Sequence, residues 1–368
     1  MNLAHMKLFH SFQTYTMQTL LGGPQFWEHA LRLSFEVDFV MNAMLCIAAR
    51  HLVFLRPEDG TNLIAARRHL SRALSRFRHG LSQNLSPMHL DPFLITSILL
   101  QYEIWNDTDL VLSQDDVSNP FDHPRDRIFP FCSSMKRVLL ENISRLDCQS
   151  SAILPYIQQS PLEAVTEVAQ VGDHTLAMYR DFFSYRCPLT LDLLNTPFPC
   201  RSNPELHLLN KSALYAEETP ELRDGGYELA VARLCLIMSF LPEARPHDPI
   251  GPDSPLLPTL ARYILSFPVM CHGTFAMMVQ RGDPHVLFLL YHFYRTVRIL
   301  LPLETFWWAY EQAYASETAL REWLIRKIHD TDMERLNQPG INATDKAKAR
   351  FHLSNIESPE LTGEPYIV

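Results

Sequence analysis

Glycine is scarce in this chain. Only 12 of its 368 residues are glycine, about 3% where roughly 7% is usual. Strand-rich folds consume glycine at hairpins and bulges, so the shortage points to helices, with the 26 prolines acting as punctuation. Paired cysteines are missing as well. The seven present (Cys46, Cys132, Cys148, Cys187, Cys200, Cys235 and Cys271) are odd in number, scattered and never in a C-x-x-C arrangement. That excludes a recognisable zinc or iron–sulfur framework and fits buried free thiols in a reducing compartment. Positive charge is in deficit: 32 Lys and Arg against 41 Asp and Glu leave a net −9. A phosphate backbone repels such a chain as a whole, so direct nucleic-acid binding is not expected. Apolar runs such as Ala43 to Ala49 and Val286 to Tyr291 are far shorter than the roughly 20 residues of a membrane span. The opening MNLAHMKLFHSF lacks the charged-then-apolar layout of a secretory signal. The expectation is a chain with no membrane span, intracellular, and cytoplasmic or nuclear.

What is present is helical periodicity. Leu3, Met6, Phe9 or His10, Phe12 or Gln13, Met17, and Leu20 and Leu21 recur at steps of three and four, predicting one amphipathic helix that Gly22-Gly23-Pro24 stops. Val37 to Leu55 is apolar nearly all round, which predicts a central helix. Thr61 to Gln83 is amphipathic, with Ala66, Leu70, Ala73, Leu74, Phe77 and Leu81 on one face and an Arg68, Arg72, Arg76 ladder on another. Asp91-Pro92 reads as an N-cap and first helical position, opening a helix through Trp105. Further helical patterns cover Ser133 to Leu146, Pro161 to Phe183, Tyr227 to Leu241, Leu256 to Phe267, Phe275 to Val279, Asp283 to Leu300 and Leu303 to Ile328. The breaks are Asn106 to Pro130, read as an exposed loop and candidate lid, Pro188 to Pro220, and the proline-dense PEARPHDPIGPDSPLLP. No strand alternation or internal repeat stands out. The fold expected is all-α: one large bundle of roughly a dozen helices with loop-rich insertions, covering residues 1–330, and a polar extended tail over 331–368.

Catalytic signatures are absent. There is no G-x-S-x-G, H-E-x-x-H, G-x-x-x-x-G-K-[ST] or G-x-G-x-x-G, so serine-hydrolase, zinc-protease, P-loop and dinucleotide readings lack their local mechanics. Asp115-Asp116 approaches an acidic diphosphate-metal motif, but without a partner motif it reads as solvated turn residues. No metal and no cofactor are expected. Among the 16 histidines, His51 lies in AARHL and His292 in VLFLLYHFY. A buried imidazole must find a hydrogen-bond partner, either in the core or on a ligand hydroxyl or carbonyl. Phe306, Trp307, Trp308 and Tyr310 form the densest aromatic group, suited to core packing or to lining an apolar pocket. The candidate ligand-binding residues are His51, Tyr291, His292, Trp307, Trp308, Met44 and Met277. The arginines of the ladder read as a solvated outer face or as an anionic-partner patch.

An ordered set of segments resembles the C-terminal regulatory domain of fungal zinc-cluster transcription factors of the sterol uptake-control type. MKLFHSFQTYTMQTL resembles that family's opening helix, and WEHALRLSFEVDFVMNAMLCIAARHL its tryptophan followed by an apolar helix ending in Ala-Ala-x-His-Leu. AARRHLSRALSRFRHGL follows as the next helix, while GDPHVLFLLYHFYRTVRILLPLETFWWAYEQA and ALREWLIRKI resemble the late stretches. The matches cover Met6 to Ile104 and Pro258 to Ile328. No cysteine precedes Cys46, so the six-cysteine DNA-binding cluster of such regulators is absent from this sequence.

The resemblance implies a helical receptor for a hydrophobic small molecule, such as a sterol, terpenoid or polyketide-like compound, with a regulatory role and a homodimer as one arrangement. The alternative is a cofactor-free pocket enzyme of fungal secondary metabolism, such as a hetero-Diels-Alderase or other cyclase. That chemistry needs reactants held in a near-attack geometry and a donor polarising a carbonyl, neither of which leaves a motif. His51, Tyr291, His292 and Trp307 would then orient or donate.

Overall fold

The structure is a computed structural model that describes residues 3–82, 90–107, 126–143, 151–169, 173–196 and 226–336. Fifteen α-helices and no strand occur among the described residues, so the chain is an all-α bundle. Asp115-Asp116, the centre of the candidate lid, Cys148, Cys200, most of the Pro188 to Pro220 break and the tail beyond Leu336 lie outside the described residues.

The amino-terminal half is organised by α3 (Asp38–Leu55). Its unbroken run of buried side chains from Ala43 to His51 leaves it no polar face, and it is enclosed by α1 (Leu3–Thr14), α2 (Gly23–Ser34), α4 (Gly60–Ser82) and α5 (Leu90–Asn106). It is the one described helix long and apolar enough to cross a membrane, and more than half of it is buried inside the bundle, the placement of a core helix. Against it α4 lays the small residues Ala66 and Ala73, which allow close approach, and turns its arginines outward.

The carboxy-terminal half is built on the hairpin of α14 (Pro284–Leu300) and α15 (Trp307–Leu336). The start of α14 is written locally: Gly282, at φ +70°, ends α13 (Thr274–Arg281), and the Asp283 carboxylate then accepts the N–H groups of His285 and Val286 ahead of Pro284. Around α14 lie α6 (Ile128–Ile143), α9 (Asp173–Phe182), α11 (Gly226–Met238) and α12 (Leu257–Met270), while α15 reaches back to α3 and α5. The remaining short helices are α7 (Leu154–Gln158), α8 (Leu162–Ala169) and α10 (Leu191–Asn195). One contiguous apolar core extends from Leu8 to Ile328.

Several boundaries depart from the periodicity: the Pro161 to Phe183 pattern is two helices, α8 and α9, and α10 lies inside the Pro188 to Pro220 break. The first helix stops at Thr14, and Thr16–Thr19 forms a separate 3₁₀ turn, because Thr16 and Thr19 are taken up by contacts to α3 and α15. Asp91 lies inside the first turn of α5 rather than capping it. Its carboxylate accepts from His29 Nε2 at 2.8 Å, from the Ser151 hydroxyl and from the Ala152 N–H at 3.0 Å. Helix α6 begins at Ile128 rather than Ser133, since Asp126 caps it by accepting the Phe129 N–H at 3.0 Å. Helix α15 starts later than expected, after a turn closed by the Thr305 N–H on the Pro302 carbonyl, and runs on to Leu336, so residues 331–336 are helical rather than extended tail.

Candidate ligand site

His292 sits near the middle of α14, on a helix whose residues from Val286 to Tyr294 are all buried. Four aromatic rings meet its imidazole nearly edge to face: Phe288 at 4.7 Å between centroids, Tyr291 at 4.9 Å, Phe182 at 5.2 Å and Phe183 at 5.5 Å. Phe288 stands one turn before His292 on α14, as the i,i+4 spacing dictates, and Tyr291 is its neighbour in the chain. Phe182 and Phe183 arrive from the end of α9, where the Phe183 N–H closes on the Tyr179 carbonyl and the Tyr227 hydroxyl of α11 donates to the Phe183 carbonyl at 2.7 Å. The walls are therefore fixed from two other helices.

Among the described residues neither ring nitrogen of His292 has a hydrogen-bond partner. Burial, reinforced by the nearby Arg295 charge, pushes its pKa down to about 3, so the imidazole is neutral at pH 7. A neutral imidazole carries one N–H donor and one acceptor nitrogen. Leaving such a buried pair unmatched costs about 1–3 kcal/mol per group. The arrangement suits an oxygen that both gives and takes a hydrogen bond, or a carbonyl that takes one, since the ring itself offers no charge to pair with.

No protein-family model, curated protein or solved structure matches the chain. Geometry and chemistry therefore carry the reading of this site.

Three other candidate residues, His51, Trp307 and Trp308, form a second group. His51 stacks on Trp307 with centroids 4.7 Å apart and planes at 14°, and its Nδ1 is paired with Thr16 Oγ1 at 3.0 Å. Trp307 Nε1 donates to Thr19 Oγ1 at 2.9 Å, and Trp308 Nε1 donates to the Thr19 carbonyl at 3.3 Å. Trp308 also meets Tyr102 edge to face at 4.8 Å. These polar atoms are satisfied by the chain itself, so His51, Trp307 and Trp308 pin the 3₁₀ turn to α3 and α15. Met44 is wholly buried on α3, whereas Met277 is exposed on α13. Of the seven candidates the structure thus brings together Tyr291 with His292, and His51 with Trp307 and Trp308.

Two polar clusters escaped the sequence reading. The Tyr294 hydroxyl, one step along α14, donates to the Asp126 carboxylate, and burial holds that carboxyl above the usual range. Between α3 and α5, Arg50 pairs with Glu103 while the Cys46 thiol donates to the same carboxylate at 3.3 Å. The available signal for the second was Arg50, the one Lys or Arg of α3, and Glu103, whose neighbours along α5 are mostly apolar. Among the described residues no three His, Cys, Asp or Glu side chains are gathered as a metal-binding set.

Proposed function

We propose that the chain is a receptor for a neutral hydrophobic small molecule of the sterol, terpenoid or polyketide-like class, with a regulatory role. His292 supplies the polar anchor inside an aromatic enclosure. The observation that carries this reading is an imidazole, fully buried, whose two nitrogens are both unmatched among the described residues. Such a group gains free energy when a ligand oxygen takes the place of the partner it lacks. The ordered resemblance to the regulatory domain of fungal zinc-cluster transcription factors supports the same function.

A second reading is favoured by the chemistry of the same group. A neutral N–H donor in a low-dielectric, π-lined enclosure is suited to polarise a carbonyl while the walls hold two reacting arms together. That is the requirement of a cofactor-free cyclase, including a hetero-Diels–Alder catalyst.

The test is titration of the full chain with ergosterol, farnesol and 2-naphthol, read by intrinsic fluorescence and by the shift in melting temperature. Saturable binding of at least one is expected, weakened more than tenfold by His292→Ala, or about 1.4 kcal/mol. Binding that His292→Ala leaves unchanged overturns the site. Conversion of many equivalents of a tethered diene–enone by the chain, lost in the same variant, decides for the enzyme; stoichiometric binding without product decides for the receptor.

A further inference from the structure

Helix α4 is chemically unlike the rest of the molecule. Between Gly60 and Ser82 it carries five arginines, Arg67, Arg68, Arg72, Arg76 and Arg78, and no aspartate or glutamate, in a chain of net charge −9. All five are exposed. The field they set up is felt locally. His5 and His69, whose rings lie 5.0 Å apart, are both held neutral chiefly by burial, with Arg68 and Arg72 adding to the same effect.

The helix also bears a groove of about 490 Å³ lined by Arg67, Leu70, Ser71, Leu74, Ser75 and Arg78. These positions follow the helical repeat and make a single stripe. Leu70 and Leu74, both half-buried, form an apolar floor between two serines, and a guanidinium stands at each end. Eleven residues separate Arg67 from Arg78, about 16 Å along the axis.

We infer that this groove docks an acidic amphipathic helix of a partner protein. A helix of about three turns spans the stripe, sets two apolar side chains on Leu70 and Leu74, and brings a carboxylate to the guanidinium at either end. Charge complementarity and the apolar floor act together here. A nucleic-acid backbone would use the arginines and leave the leucines exposed, and the remainder of the acidic chain would repel it. The inference is independent of the His292 site.

The experiment measures fluorescence anisotropy of a labelled 15-residue helix-forming peptide with glutamates at both ends and leucines four residues apart at its centre. Saturable binding to the full chain is expected. It should weaken at least tenfold when the peptide's leucines become serines, and at least tenfold with Arg67→Ala/Arg78→Ala protein. Arg72→Ala, an exposed arginine outside the stripe, should change it less than twofold and so reports bulk charge alone. The melting temperature of each variant confirms that it is folded. The inference is overturned by equal binding of the serine peptide, by tighter binding of a 15-base-pair DNA duplex, by an Arg72→Ala effect as large as that of the double variant, or by no saturable binding of the leucine peptide.

Discussion

Arg50 and Glu103 meet inside the bundle, Nη2 donating to Oε1 at 2.6 Å and Nε to the same oxygen at 3.0 Å, so that one guanidinium grips one carboxylate between α3 and α5. Both side chains are buried, and the Cys46 thiol takes a further acceptor site on the carboxylate. Removing one partner of such a pair leaves an uncompensated charge in the core. Glu103→Ala should cost about 3–5 kcal/mol, whereas Arg50→Met/Glu103→Leu should recover most of that loss. Urea unfolding of the two variants measures the difference; equal losses would show that the pair is solvated and holds the helices only weakly.

His292 predicts an opposition between stability and binding. Leucine has nearly the volume of histidine and no polar atom to satisfy, so His292→Leu should stabilise the free chain by about 1–3 kcal/mol. The same change should abolish the binding of any ligand anchored through an oxygen. Chemical denaturation and ligand titration of one preparation check both halves. A destabilised variant would show that the imidazole is matched within the chain.

Stability should also fall in mild acid. Burial lowers His51 and His69 to about 4 and His292 to about 3, from an ordinary 6.5. Above that ordinary value both the folded and the unfolded chain are neutral at these positions, and their preference for the neutral form is fully satisfied. As the pH drops from about 6.5 towards 4, the unfolded chain takes up protons that the folded chain refuses. Each histidine then removes up to about 1.4 kcal/mol of stability per pH unit. Comparing urea midpoints at pH 7 and pH 5 should show this loss, reduced by about one proton's share in His292→Leu. An unchanged pH slope in the variant would place a proton on His292 in the folded state.

Helices α3, α4 and α14 were legible in the sequence, α3 as a long apolar run and the other two as helical patterns, and no distant contact interrupts them. The break after Thr14 was not, because its causes lie far along the chain: Thr16 is paired with His51, and Thr19 accepts from Trp307, 288 residues away. The late start expected for α6 has a different origin, since its cap, Asp126, stands in a stretch with no period of its own. For the site, burial of His292 could be read from its apolar neighbours on α14. Its lack of a partner could not, because Phe182 and Phe183 close the enclosure from α9, and no pattern within either segment records the meeting. The same holds for His51, whose partner decides that it fastens the fold.

Gly80, near the end of α4, supplies the sharpest test of how α4 seats on α5. A methyl group there would come within 2.8 Å of Phe93 Cζ and 3.2 Å of Cε1. Helix propensity alone favours Gly80→Ala by up to about 1 kcal/mol. The ring, however, is held by Phe39 at 5.1 Å and Phe77 at 5.4 Å, so it has little room to withdraw, and overpacking of this kind costs about 1–3 kcal/mol. The expected net effect in the native background is destabilisation. In a Phe93→Leu background the obstructing ring edge is gone, so the same Gly80→Ala change should become neutral or stabilising. Thermal melts of the four proteins in this cycle isolate the contact from the propensity term. A rise in melting temperature with Gly80→Ala alone would mean that Phe93 yields and that helix propensity outweighs the close approach of the two helices.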